Sequence, residues 1–187
     1  FIFDPVNGST LGAYSPTTCD GTQYQIREQT DISAEIRLAS NGDGPLAWQV
    51  GAYYLNIDRD VGGSLGADLG QGVSRELYND ANSSNPTSQL FADNFNTNVY
   101  AAFGSVDYEV ADNFDVSLAL RYDIEERKVS SRVPVVADPI TGGPINPGQA
   151  FGAIPDQKET FKELQPKLSL RYSLTDNLNF YANWGIG

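Results

Sequence analysis

The sequence predicts an all-β fold: an antiparallel, up-and-down sheet of six strands with one apolar and one polar face. Three observations carry this expectation. Apolar and polar residues alternate with period two in six segments. The connections between those segments are alternately short and long. Aromatic residues recur eight positions apart within the apolar files. Successive strand side chains point to opposite faces, so period two means one face for each residue class. Alternation alone fits either a sheet packed on a second sheet or a sheet packed on lipid.

The first segment, about 24–40, files Ile32, Ala34, Ile36 and Leu38 against Asp31, Ser33, Glu35 and Arg37. NGDGP at 41–45 is a strong turn signal. The second, about 45–57, places Leu46, Trp48, Val50, Ala52 and Tyr54 on one face. The third, about 97–110, does so with Tyr100, Ala102, Gly104, Val106, Tyr108 and Val110. Asp112 and Asn113 supply the next turn, and the fourth segment, about 114–127, files Phe114, Val116, Leu118, Leu120 and Tyr122. The fifth, about 161–174, sets Leu168, Leu170, Tyr172 and Leu174 against Lys167, Ser169, Arg171 and Ser173. Thr175-Asp176-Asn177 turns into the sixth, about 178–187, with Leu178, Phe180, Ala182 and Trp184 on one face. YEVADNF (108–114) and YSLTDNL (172–178) share Tyr, Asp and Asn, as successive hairpins of a meander would. Pro166 cannot donate to a ladder, which predicts a bulge or a strand start there.

Three long connections, about 1–23, 58–96 and 128–160, separate the hairpins. The last is proline-rich, which argues against a helix or a paired central strand. Structureless loops beyond about 15 residues are uncommon in compact soluble domains. Short turns alternating with long loops are instead the habit of outer-membrane barrels. Tyr100 with Tyr108, and Phe114 with Tyr122, lie eight residues apart in one file. Eight steps of about 3.3 Å tilted by about 40° rise roughly 20 Å, close to an apolar band of about 25 Å edged by aromatic girdles. These features predict lipid against the apolar face.

Composition narrows the function classes. The 187 residues carry a formal charge of -12, which argues against nucleic acid as a partner. No apolar run reaches 18 residues, so the sequence offers no transmembrane helix. Histidine is absent, which rules out Ser-His-Asp and Cys-His catalysis and the usual zinc sites within this chain. A lone cysteine, Cys19, makes no intrachain disulfide. FIFDPVNGST has no basic stretch leading into an apolar core, so it is not a signal peptide. Asp58 with Asp60, and Glu125 with Glu126, suggest acid/base work or calcium by proximity, but neither spacing matches a calcium-binding loop. The expectation is solvated carboxylates, with no catalytic residue, no metal ligand and no cofactor.

Three stretches resemble the β-barrel domain of TonB-dependent outer-membrane receptors: EIRLASNGDGPLAWQVGAYYL (35–55), YAAFGSVDYEVADNFDVSLALRYDIEERKV (100–129) and PKLSLRYSLTDNLNFYANWGIG (166–187). The resemblance covers the strands and leaves the long loops unmatched. It implies an antiparallel transmembrane β-barrel of the 22-stranded type, of which this chain is a six-strand segment in one barrel domain. The plug domain and TonB box would lie upstream. The location implied is the bacterial outer membrane, with the long loops extracellular. The function implied is energy-coupled import of a scarce nutrient, such as siderophore-iron, a vitamin or an oligosaccharide. The implied partners are TonB, ExbB and ExbD, together with outer-membrane lipid and lipopolysaccharide. Two alternatives remain at this point: a passive porin or structural outer-membrane barrel, and a secreted soluble β-domain that binds glycans.

Overall fold

The computed structural model describes residues 23–66, 76–83 and 86–187. Six strands form one antiparallel sheet in chain order: β1 (Gln23–Ala39), β2 (Leu46–Gly66), β3 (Thr87–Ala111), β4 (Phe114–Ser131), β5 (Gln157–Thr175) and β6 (Leu178–Gly185). Consecutive strands are neighbours throughout, and β1 and β6 stand at opposite ends of the order.

The short turns form where turn chemistry predicts. Ser40 N–H donates to the Trp48 carbonyl at 2.8 Å, and Ser40 Oγ accepts the Trp48 N–H at 2.9 Å. These two bonds close the β1–β2 hairpin. Asp112-Asn113 and Asp176-Asn177 link β3 to β4 and β5 to β6. In the last hairpin Leu168 faces Trp184, Leu170 faces Ala182 and Tyr172 faces Phe180. Between these pairs, Ser169 faces Asn183 and Arg171 faces Tyr181 on the other side. One register irregularity falls between Ser173 and Thr175, beside the turn.

The strands run further than the composition predicts. β2 continues to Gly66, β3 begins at Thr87, β4 reaches Ser131 and β5 starts at Gln157. The expected loops at 58–96 and 128–160 therefore lose residues to strands at both ends. Asn, Asp and Gly are poor strand formers, so these stretches read as loop. Their alternation nevertheless persists with the polarity exchanged. Asn56, Asp58 and Asp60 alternate with Leu55, Ile57, Arg59 and Val61, and Asn94, Asn96 and Asn98 alternate with Phe95, Thr97 and Val99. Pro166 also departs from expectation, since it lies inside β5. Its carbonyl accepts the Ile186 N–H at 3.1 Å. The donor it lacks is thus the partner bond of that one antiparallel pair, at the far end of the β5–β6 ladder.

Contacts divide the chain into two units, one made of Asp31–Ile57, Asn96–Arg127 and Lys158–Gly187, the other of Phe1–Thr30, Asp58–Phe95 and Lys128–Gln157. The second contains the packed core. Leu90, Ala92 and Ile145 are buried there, with Leu77, Tyr78, Val133 and Val136 against them. The 132–156 connection is folded: Leu90 N–H donates to the Ile145 carbonyl at 2.9 Å, and Arg132 N–H to the Ala92 carbonyl at 2.7 Å. Ala137 and Pro144 bridge across a small hairpin whose tip is organised by Asp138. The buried Asp138 carboxylate accepts the Ile140 N–H at 2.8 Å and the Thr141 hydroxyl at 2.5 Å. Gly142 sits in that tip at φ +71°, a conformation that favours glycine.

Candidate functional site

In the unit of Asp31–Ile57, Asn96–Arg127 and Lys158–Gly187, the sheet presents two unlike faces. The even-numbered face is apolar and uncovered. Ile36 is 69% exposed, Leu118 55% and Phe180 54%, so no protein layer packs on it. Burying such a side chain away from water is worth about 1.5–3 kcal/mol. A face of this size left in water would be an aggregation site. Aromatic contacts edge it: Tyr54 and Tyr100 have ring centroids 5.3 Å apart, and Phe114 meets Tyr172 edge-on at 6.4 Å. Beside the first pair lies a shallow hollow of about 570 Å³ lined by Ala34, Ile36, Ala52, Tyr100, Ala102 and Tyr122.

The odd-numbered face is charged, and its arginines are all paired with carboxylates. Arg37 pairs with Glu35, Arg121 with Asp123 at 2.8 Å, Arg127 with Glu125 at 2.5 Å, and Arg171 with Asp115 across strands. Three of these arginines also lie over aromatic rings. Arg37 is 5.7 Å from the Phe103 centroid, Arg121 is 5.4 Å from that of Tyr53, and Arg127 is 5.0 Å from that of Phe161. Both contacts favour a guanidinium over an ammonium group. A depression of about 500 Å³ is lined by Arg37, Gln49, Phe103, Arg121, Lys167 and Asn183. Another, of about 470 Å³, is lined by Asp107, Glu109, Asp115, Ser117 and Arg171. Each basic group has a carboxylate two residues away or on a neighbouring strand, except the lysines, for which no ion pair occurs in this unit among the described residues. The result is a hydrophilic wall in which every arginine is paired and carboxylates outnumber basic groups.

The carboxylates singled out in the sequence find ordinary partners. Asn94 Nδ2 donates to Asp58 Oδ1 at 2.6 Å and to Asp60 Oδ1 at 2.9 Å, and Arg132 pairs with Asp60 at 3.1 Å. Glu125 and Glu126 are neighbours on a strand and so point to opposite faces. Only Glu125 joins the charged wall. Among the described residues, no group of three or more His, Cys, Asp or Glu side chains is placed to hold a metal ion. Cys19, with the expected connection at 1–23 up to residue 22, lies outside the described residues. Two features escaped the sequence reading: Phe103, an aromatic on the charged face, and the asparagine strip that follows Tyr54 and Tyr100. The strip has a signal in N-x-D-x-D (56–60) and N-x-N-x-N (94–98), polar residues repeating with period two across the ends of the expected strands.

No curated protein matches the sequence. Among solved structures, the chain is similar to the ferric yersiniabactin uptake receptor FyuA from Yersinia pestis, with a TM-score of 0.60 at 16% identity. The match covers 85% of this chain and 21% of that one, so the chain spans about a fifth of the receptor it resembles. At that identity the likeness concerns the fold. Residues 3–187 match the family described as TonB dependent receptor-like, beta-barrel. With an uncovered apolar face, a charge-paired opposite face and nearly its whole length matched, the chain belongs to the TonB-dependent receptor β-barrel family, whose members are outer-membrane barrels.

Proposed function

We propose that this chain is part of the barrel wall of an outer-membrane receptor that imports a scarce nutrient with energy delivered through TonB, ExbB and ExbD. The observation that carries the reading is the pairing of faces on the same strands. One face is apolar and exposed, and the other is lined by carboxylates and paired arginines. Hydrocarbon suits the first, and a wet interior suits the second. The strand edges at β1 and β6 need partners in a membrane, because unpaired backbone groups are not tolerated in hydrocarbon. Further strands and an upstream plug with a TonB box supply the rest of the receptor in this reading. The long connections face the outside and meet the nutrient, a siderophore-iron chelate, a vitamin or an oligosaccharide. The wall performs no covalent chemistry. Family membership favours this over a passive porin, and the uncovered apolar face favours it over a soluble glycan-binding domain.

The test is uptake by the full-length protein, expressed in its own outer membrane, of a panel of labelled nutrients from these three classes. The expected result is accumulation of one of them that stops when TonB is deleted. Accumulation that continues unchanged without TonB identifies a passive pore and overturns the proposal.

A further inference from the structure

In the unit that holds the long connections, β2 and β3 have one covered side and one open side. Along residues 59–65 of β2 and 89–95 of β3, successive side chains alternate between the two. Leu90 and Ala92 lie on the covered side, buried with Ile145 and packed against Val133 and Val136. Phe91 lies on the open side, 49% exposed, and Leu65 and Gln89 are exposed there too. Gly63 makes room for the Phe91 ring, since a Cβ at that position would clash with Phe91 Cε1 and Cζ. The ring thus lies against the β2 backbone and keeps the rest of its surface open. A hollow of about 190 Å³ adjoins it, with Gln25, Leu65, Gln89 and Pro147 in its lining.

Four residues further along β3, the guanidinium of Arg59 lies 5.1 Å from the Phe95 ring centroid. Stacking on the ring holds the guanidinium and leaves its N–H edge for another partner. Arg37, Arg121, Arg127, Arg132 and Arg171 each pair with a carboxylate. Arg59 makes no ion pair among the described residues. Neither does Arg27 of β1, two residues from Gln25 and so on the same face. Asp93, between Phe91 and Phe95 on the open side, has no ion pair among the described residues either. Two unpaired guanidinium groups therefore outweigh one carboxylate on this side.

These groups together define a ligand. An open aromatic ring takes a C–H face, a guanidinium fork takes a carboxylate, and Gln25, Gln89 and Asp93 take hydroxyls. Four strand steps of about 3.3 Å separate Phe91 from Phe95 by roughly 13 Å. One sugar ring or one small aromatic acid is too short to reach both, so the ligand is a chain.

We propose that the open side of β2 and β3 binds an acidic oligosaccharide, a chain containing uronate units. One sugar lays its C–H face on Phe91, with Gln25 and Gln89 at its hydroxyls. The carboxylate of a unit further along accepts two parallel N–H bonds from Arg59, and Asp93 accepts from hydroxyls between them. The inference rests on the barrel-wall reading, which puts the long connections outside, and names which of its nutrient classes this face selects.

Isothermal titration of the purified full-length receptor tests it with trimers of galacturonate and of mannuronate, their methyl esters, and 2-naphthoate. At least one acidic trimer should bind about tenfold more tightly than its ester, as one hydrogen bond to a charged group provides. Arg59→Gln should erase that preference and leave the affinity for the ester unchanged. Arg59→Lys should restore part of it, because the charge returns without the fork. Phe91→Ala should weaken acid and ester alike. Heat-modifiable gel migration identifies the folded variants. Acid and ester bound equally or not at all by the native receptor overturns the proposal. So does an undiminished preference in folded Arg59→Gln, or tighter binding of 2-naphthoate than of either trimer. The barrel-wall reading is judged separately, on whether uptake of the nutrient panel depends on TonB, and it survives failure of these binding contrasts.

Discussion

The ring of Phe103 on β3 occupies the space over Gly51 on β2: a Cβ placed on Gly51 would clash with Phe103 Cζ. It would also lie 2.7 Å from the Ile36 carbonyl oxygen on β1. The glycine is thus a seat for an aromatic ring on the charged face, and Arg37 lies over that same ring. Gly51→Ala should destabilise the receptor by about 1–3 kcal/mol through overpacking, read by denaturant unfolding in lipid vesicles. In a Phe103→Ala background the cost of Gly51→Ala should shrink without vanishing, because the Ile36 carbonyl remains in place. An equal cost in both backgrounds would remove the ring from the explanation.

The two faces should respond unequally to the same substitution. Leu118 lies midway between Phe114 and Tyr122 on the uncovered face. Leu118→Arg should cost about 2–4 kcal/mol, the penalty for a cation facing lipid near the bilayer midplane. Ser117→Arg, one residue earlier on the wet face, should cost less than about 1 kcal/mol. Unfolding midpoints of the two variants in the same vesicles compare them directly.

The 132–156 connection should open locally when its tip is broken. Asp138→Ala strips the Ile140 N–H and the Thr141 hydroxyl of their shared acceptor. Ile140 and Thr141 are exposed, so water takes up the released donors and each lost bond costs about 0.5–1.5 kcal/mol. Faster amide hydrogen exchange is expected at Ile140 and Gly142. Exchange within β6 should be unchanged, since the loss is confined to the tip.

Calcium should leave the Asp58–Asp60 pair indifferent. Both carboxylates already accept from Asn94, and Asp60 pairs with Arg132. Chelation of divalent ions from the purified receptor should leave the exchange rates of Asp58 and Asp60 amides unchanged. Asp60→Asn should lower stability by less than about 1 kcal/mol, as for other exposed ion pairs.

The parts of the fold legible in the sequence were those where burial class follows the pleat. The files Ile32 to Leu38, Leu46 to Tyr54 and Phe114 to Tyr122 obey one rule: apolar even, polar odd. Past Tyr54 and Tyr100 the rule inverts, and Asp58, Asp60, Asn94 and Asn96 read as loop although the strands continue. Leu90 and Ile145 meet across 55 residues of chain, with no periodicity to announce the pairing. Phe103 alternates correctly yet is aromatic on the wet side, and only its contact with Gly51 explains it. Pro166 was readable as a missing donor, but its place in β5 depended on which partner carbonyl lost a bond.

The central claim, that the even-numbered face meets lipid, is tested most directly by a nitroxide scan of residues 114–122 in the vesicle-embedded receptor. Collision with dissolved oxygen should oscillate with period two, peaking at Val116, Leu118 and Leu120. A nickel chelate should show the opposite phase, at Ser117, Ala119 and Arg121. Low collision rates for both probes at Val116, Leu118 and Leu120 would mean that protein covers this face, and would contradict the account.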